Sequence, residues 1–123
     1  MQIIDKNGYL DSTLNYIEKQ MLSGRGLQRT AKKTRIDEDL LKSLFLRLSD
    51  FSEKQFFTNL QEKIEYVHGF IPGAEGQISG ADVSIETKKT KGILKAFILV
   101  NLTCDIVIDG EQEDKIKIDM QIG

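Results

Sequence analysis

The sequence contains no tryptophan, a single cysteine, a single histidine and a single proline. One cysteine, Cys104, excludes an intramolecular disulfide, so export to an oxidising compartment is not implied. With His68 as the lone histidine, His/Cys zinc sites and a Cys–His nucleophilic pair lack a scaffold. No apolar run reaches the roughly 18 residues of a membrane span, and Met1 to Leu10 lacks a signal-peptide core. No membrane association and a cytoplasmic location are therefore expected. A formal net charge of -2 supplies no global basic field to attract nucleic acid or acidic membranes. At 123 residues the chain is expected to form one domain with a core that needs no metal or disulfide.

What is present is led by one stretch, Leu94 to Ile108. Its even positions are Leu94, Ala96, Ile98, Val100, Leu102, Cys104, Ile106 and Ile108, all apolar. Its odd positions are mixed, from Lys95 and Phe97 through Asp105 to Val107. Period-two alternation with β-branched enrichment predicts a long strand with one buried face.

The N-terminal half carries helical spacing. Leu10, Leu14, Ile17 and Met21 make one stripe of a helix over 11–22, with Asp11 or Ser12 as cap and Gly24 as a left-handed terminator. Leu27 to Lys33 is read as a short helical segment. Asp37 caps a further helix, with Glu38 and Asp39 in its first turn and Leu40, Leu41, Leu44, Phe45 and Leu48 on its apolar face. Ser52 to Gln55 is a capping box that opens a helix with the stripe Phe56, Phe57, Leu60, Ile64 and Val67. Met1 to Ile4 suits either a strand or packing against a helix.

Gly69 to Gly80 holds Pro72 and four glycines and is read as a connector. Beyond it, Ala81, Val83 and Ile85 alternate with polar residues. Lys88 to Gly92 and Asp109-Gly110 are hairpin turns, and Ile116, Ile118, Met120 and Ile122 alternate again. The expected fold is α+β: an N-terminal three-helix region (about 9–68) on one face of a C-terminal three-stranded antiparallel β-meander (about 81–122).

Chemistry-bearing patterns are sparse. Cys104 falls on the all-apolar face, where cysteine behaves as a small hydrophobe. His68 ends a helix stripe and suits the helix C-terminus. Asp109, Glu111, Glu113 and Asp114 lack the register of an EF-hand and read as a solvated hairpin tip. Gly73 to Gly76 is a GxxG tetrapeptide, the kind that clamps an RNA backbone in KH domains, but a strand follows it rather than a helix. Catalytic residues, metal ligands and cofactors are thus not expected, and the protein is read as a non-enzyme.

Two surfaces bear on partners. Leu27 to Phe45 fits the helix-turn-helix pattern, with Ala31 at the small position, Ile36 closing the turn and Leu41 and Leu44 packing. The basic residues Arg25, Arg29, Lys32, Lys33 and Arg35 are the candidate nucleic-acid contacts. Against this, Arg35 stands where glycine is usual, and Asp37, Glu38 and Asp39 begin the helix that would face DNA, so nucleic acid is disfavoured. Phe97 and Leu99 lie on the second face of the central strand, and the sheet has open edges. The hairpin tips differ in sign, with Lys88, Lys89 and Lys91 at one and Asp109 to Asp114 at the other. The function expected is a protein-interaction or assembly module that associates with itself through the sheet, with a helix-turn-helix-like nucleic-acid-binding regulator as the alternative.

Overall fold

The computed structural model describes residues 1–123. Its elements are β1 (Gln2–Ile4), α1 (Tyr9–Tyr16), α2 (Arg25–Thr34), α3 (Glu38–Arg47), α4 (Glu53–His68), β2 (Ala74–Thr90), β3 (Ile93–Ile108) and β4 (Glu111–Ile122). A π-helical stretch, Ile17–Met21, continues α1, and a 3₁₀ turn, Leu48–Asp50, follows α3. The strands form one sheet in the order β1-β2-β3-β4.

The α+β class and the consecutive strands agree with the sequence expectation, but two details differ. There are four α-helices, not three, because Leu27 to Lys33 belongs to a full helix; Lys, Arg, Gln and Ala all have high helix propensity. The sheet has four strands and is mixed, because β1 pairs in parallel with β2 through Gln2↔Glu75, Ile3↔Gly76 and Ile4↔Gln77. Three residues at the start of a chain carry too little pattern to reveal a strand; the partner supplies it. β2 also begins at Ala74, inside the stretch read as connector.

Both hairpin turns are two residues long with positive φ at each: Lys91 (53°) and Gly92 (78°), then Asp109 (52°) and Gly110 (79°). That is the I′ geometry, whose twist matches the flanking antiparallel strands.

Internal contacts divide the chain into two compact units. The first comprises residues 1–10, 52–82 and 101–120. Here Ser52 Oγ caps α4 by accepting from Gln55 N at 3.3 Å. Phe56, Leu60 and Ile64 are buried, while Val67, expected in the stripe, is 64% exposed. Leu102, Cys104, Ile106, Ile118 and Met120 supply the sheet's buried side. The Met1 amino group reaches Glu65 of α4 at 3.4 Å, and Lys63 Nζ donates to the carbonyl of Asp119. Gly76 has to be small: a Cβ there would lie 2.7 Å from Ile3 Cδ1 and 3.1 Å from Cys104 Sγ.

In β2 the inward residues are Ala74, Gly76 and Ile78, all even, yet Ile85 is also buried. The parity changes at Ser79–Gly80. Ser79 Oγ lies 3.5 Å from Thr103 O, and a Cβ on Gly80 would lie 3.7 Å from Thr103 Cβ. Two residues thus oppose one, a β-bulge.

The second unit comprises residues 11–51, 83–100 and 121–123. Its core contains Ile17, Leu22, Leu41, Leu44, Leu48, Ala96, Ile98 and Val100. Leu22 N donates to Ile17 O at 2.9 Å, closing the wide turn. Gly26, at the start of α2, is buried against that turn: a Cβ would sit 2.5 Å from Gln20 O and 3.2 Å from Met21 C. Thr30, the one buried polar side chain, donates its hydroxyl to Met21 O at 2.8 Å. Asp37 caps α3, its Oδ1 accepting from Asp39 N at 2.7 Å. The cap of α1, by contrast, is neither Asp11 nor Ser12. In the first unit the Asp5 carboxylate accepts from Tyr9 N and Leu10 N, each at 2.9 Å, so α1 starts earlier than its stripe implies.

Candidate functional site

Strand β3 has two unlike sides. From Ala96 to Ile106 every even residue is buried and every odd residue is half-buried. In the first unit the odd side is polar and internally bonded. Asn101 donates to the Asp119 carboxylate, Ser79 Oγ donates to Asp105 Oδ1 at 3.2 Å, and Lys115 Nζ lies 3.7 Å from the same oxygen. In the second unit the odd side carries Phe97 and Leu99, which retain part of their surface in solvent. Gly123 lies beside Phe97 and against Leu44. Below the sheet, Arg47 Nη2 donates to the Ala96 carbonyl, while its Nε is buried without a partner.

The basic stretch is gathered on α2 and the turn after it. Arg25, Arg29, Lys32 and Lys33 are exposed on α2 at helical spacing, and Arg35 is exposed in the turn. None of the five has an ion-pair partner. Arg35 adopts φ 60°, ψ 26°, the left-handed conformation that glycine usually supplies in such a turn. Leu41 and Leu44 are buried, and α2 packs on α3. The hydroxyl of buried Thr30 is satisfied by Met21 O. A shallow cleft of about 210 Å³, lined by Tyr16, Gln20, Met21, Arg29, Thr30 and Lys33, opens beside α2. The exposed start of α3 is acidic through Asp37, Glu38 and Asp39, and its outer side carries Phe45 and Leu46.

Three features had little or no signal in the sequence. His68 Nε2 lies 2.9 Å from Asp114 Oδ2, and its Nδ1 is buried without a partner. The two are 46 positions apart, so only the fold brings them together. Tyr66, Val67 and Phe70 form an exposed apolar group at the end of α4. The hairpin ends are long: Glu86 to Lys95 are all exposed, as are Asp109 to Lys115.

Cys104 is fully buried. Burial pushes its thiol up to about 11, and the neighbouring Asp105 charge adds to the rise. That holds it as a protonated hydrophobe, far from a reactive thiolate. No group of three or more His, Cys, Asp or Glu side chains is placed to hold a metal ion. No helix is long and apolar enough to cross a membrane. Comparison with family models, with curated proteins and with solved structures gives no match for this chain.

Proposed function

We propose that the protein is a non-enzymatic interaction module that associates with a second copy of itself through its sheet. The observation that carries this reading is the half-buried side of β3 at Phe97 and Leu99, which keeps part of its apolar surface in solvent. A central strand that buries Ala96, Ile98 and Val100 completely leaves a large aromatic and a leucine half-covered on its other side. Apolar area of this kind is removed from water when a second surface meets it. The outer edge of β4 adds a row of backbone groups without a strand partner, of which Lys63 occupies one carbonyl.

Light scattering of the purified protein tests the reading. A mass above that of the monomer, rising with concentration and returning to the monomer in Phe97→Asp/Leu99→Asp, is expected. A strict monomer at high concentration refutes it.

A second reading, a nucleic-acid-binding regulator, draws on the left-handed Arg35 turn and the five unpaired cations at Arg25, Arg29, Lys32, Lys33 and Arg35. The acidic start of α3 makes α2, not α3, the surface that would meet phosphates. Binding to duplex DNA that weakens steeply with salt and is lost on Arg29→Glu/Lys32→Glu is the expected outcome. Binding unchanged by those substitutions excludes this surface.

A further inference from the structure

We infer that the two hairpin ends are complementary docking elements, the lysine-bearing end of one copy meeting the acidic end of the next. The inference rests on the self-association reading only in taking a second copy as the partner; the residues are different ones.

The first end is an arm. Glu86 to Lys95 are ten consecutive exposed residues, flanking the Lys91-Gly92 turn. Lys88, Lys89, Lys91 and Lys95 lie on it, and after Glu86 it holds no acidic residue. None of these lysines has an ion-pair partner. A two-residue turn pairs Thr90 with Ile93, then Lys89 with Leu94 and Lys88 with Lys95. The same register brings Ile85 opposite Ile98, and both are buried. Lys88 and Lys95 are therefore directly opposed like charges, an arrangement that destabilises an isolated ribbon. An anionic partner reverses that penalty. Beside them, Ile93 and Leu94 are 61% and 46% exposed on opposite faces of the arm.

The second end has the opposite composition. Asp109, Glu111, Glu113 and Asp114 are exposed around the Asp109-Gly110 turn. Asp114 is held by His68, while Glu111 and Glu113 have no ion-pair partner. Next to these carboxylates, Val107, Ile108 and Ile116 are half-buried, so apolar surface is available to Ile93 and Leu94 of another copy. The lysine end precedes β3 and the acidic end follows it. A contact between unlike surfaces is heterologous, so it repeats from copy to copy rather than closing by a two-fold axis.

Sedimentation of the intact chain, with circular dichroism to verify folding, tests this. The substituted lysines and glutamates are exposed and have no ion-pair partner, and neither turn is altered. Association of the wild type is expected to weaken at least about tenfold between ~0.1 M and ~1 M salt, as the screening length falls from ~10 Å to ~3 Å. Lys88→Glu/Lys89→Glu/Lys95→Glu and Glu111→Lys/Glu113→Lys are each expected to be monomeric alone. Their equimolar mixture regains association, because every contact between the two variants again joins opposite signs. Association that ignores salt and both charge reversals, but disappears in Phe97→Asp/Leu99→Asp, overturns the docking of the hairpins and leaves the sheet reading standing. A wild type that stays monomeric at low salt overturns both. A monomer whose lysine arm binds anionic vesicles or duplex DNA, and loses that binding on reversal, assigns the arm to a polyanion and overturns the inference.

Discussion

Replacing Gly26 by alanine isolates one packing decision in this fold. Within a helix, Gly→Ala ordinarily stabilises by about 1 kcal/mol, since alanine restricts the unfolded backbone and has the best helix propensity. Gly26 lies in α2 and its φ is not positive, so propensity alone predicts that gain. The tertiary environment predicts the opposite sign. The added methyl would stand 2.5 Å from Gln20 O, 3.0 Å from Gln20 C and 3.2 Å from Met21 C. All three are backbone atoms of the π-helical stretch, and none can swing aside as a side-chain terminus does. Relief requires α2 to move off that turn, which also stretches the 2.8 Å bond from Thr30 Oγ1 to Met21 O. Overpacking of this kind costs about 1–3 kcal/mol, and a compromised buried hydrogen bond adds about 1. Set against the propensity gain, the net expectation is a loss of about 1–3 kcal/mol. Urea unfolding followed by far-UV circular dichroism reads this as a lower midpoint at unchanged slope. Gln28→Ala, on the exposed side of the same helix, serves as the control and should change stability by less than about 0.5 kcal/mol. If Gly26→Ala matches or exceeds the wild type, the close approach of α2 to the wide turn is not a constraint on this fold.

Gly76→Ala is expected to cost less than Gly26→Ala, because the atoms it meets are the side-chain ends of Ile3, Cys104 and Met1, which can shift; thermal unfolding of the two variants side by side gives the order. For Cys104 the folded thiol is raised from 9.0 to about 11, so its contribution is complete below pH 9 and is lost as pH rises from 9 through 11, when the unfolded chain ionises first. The stability difference between wild type and Cys104→Ala should narrow by up to about 3 kcal/mol across that window, and a constant difference would show that the thiol is not desolvated. Arg47→Met keeps the aliphatic stem but removes the hydrogen bond to the carbonyl of buried Ala96, with an expected loss of about 1–3 kcal/mol in chemical denaturation.

Local chemistry was legible wherever a residue's neighbours in the chain decide its state. The even side of β3 from Ala96 to Ile106, the Asp37 and Ser52 caps, the turn at Asp109-Gly110 and a turn within Lys88 to Gly92 follow from periodicity and turn residues alone. Leu94, expected on the buried side, is instead 46% exposed. Glycine supplies the second positive φ of each turn at no steric cost, and capping oxygens meet amide groups two or three residues on. The apolar placement of Cys104 was readable for the same reason.

Tertiary structure decided what depends on a distant partner. Ile3 becomes a strand residue only because Gly76 leaves room for it in a parallel pair. The Ser79–Gly80 bulge is invisible in β2 by itself, since its alternation resumes on the other parity and only Thr103 reveals the extra residue. Arg35 takes the left-handed turn position between α2 and α3 that glycine usually supplies, which its residue type does not announce. His68 finds Asp114, and Arg47 finds Ala96, across sequence separations of 46 and 49 residues that no spacing rule spans. Phe97 and Leu99 show the division most clearly. Alternation placed them on the second side of the strand, and only the tertiary structure decides how much of their surface stays in solvent there: both are half-buried.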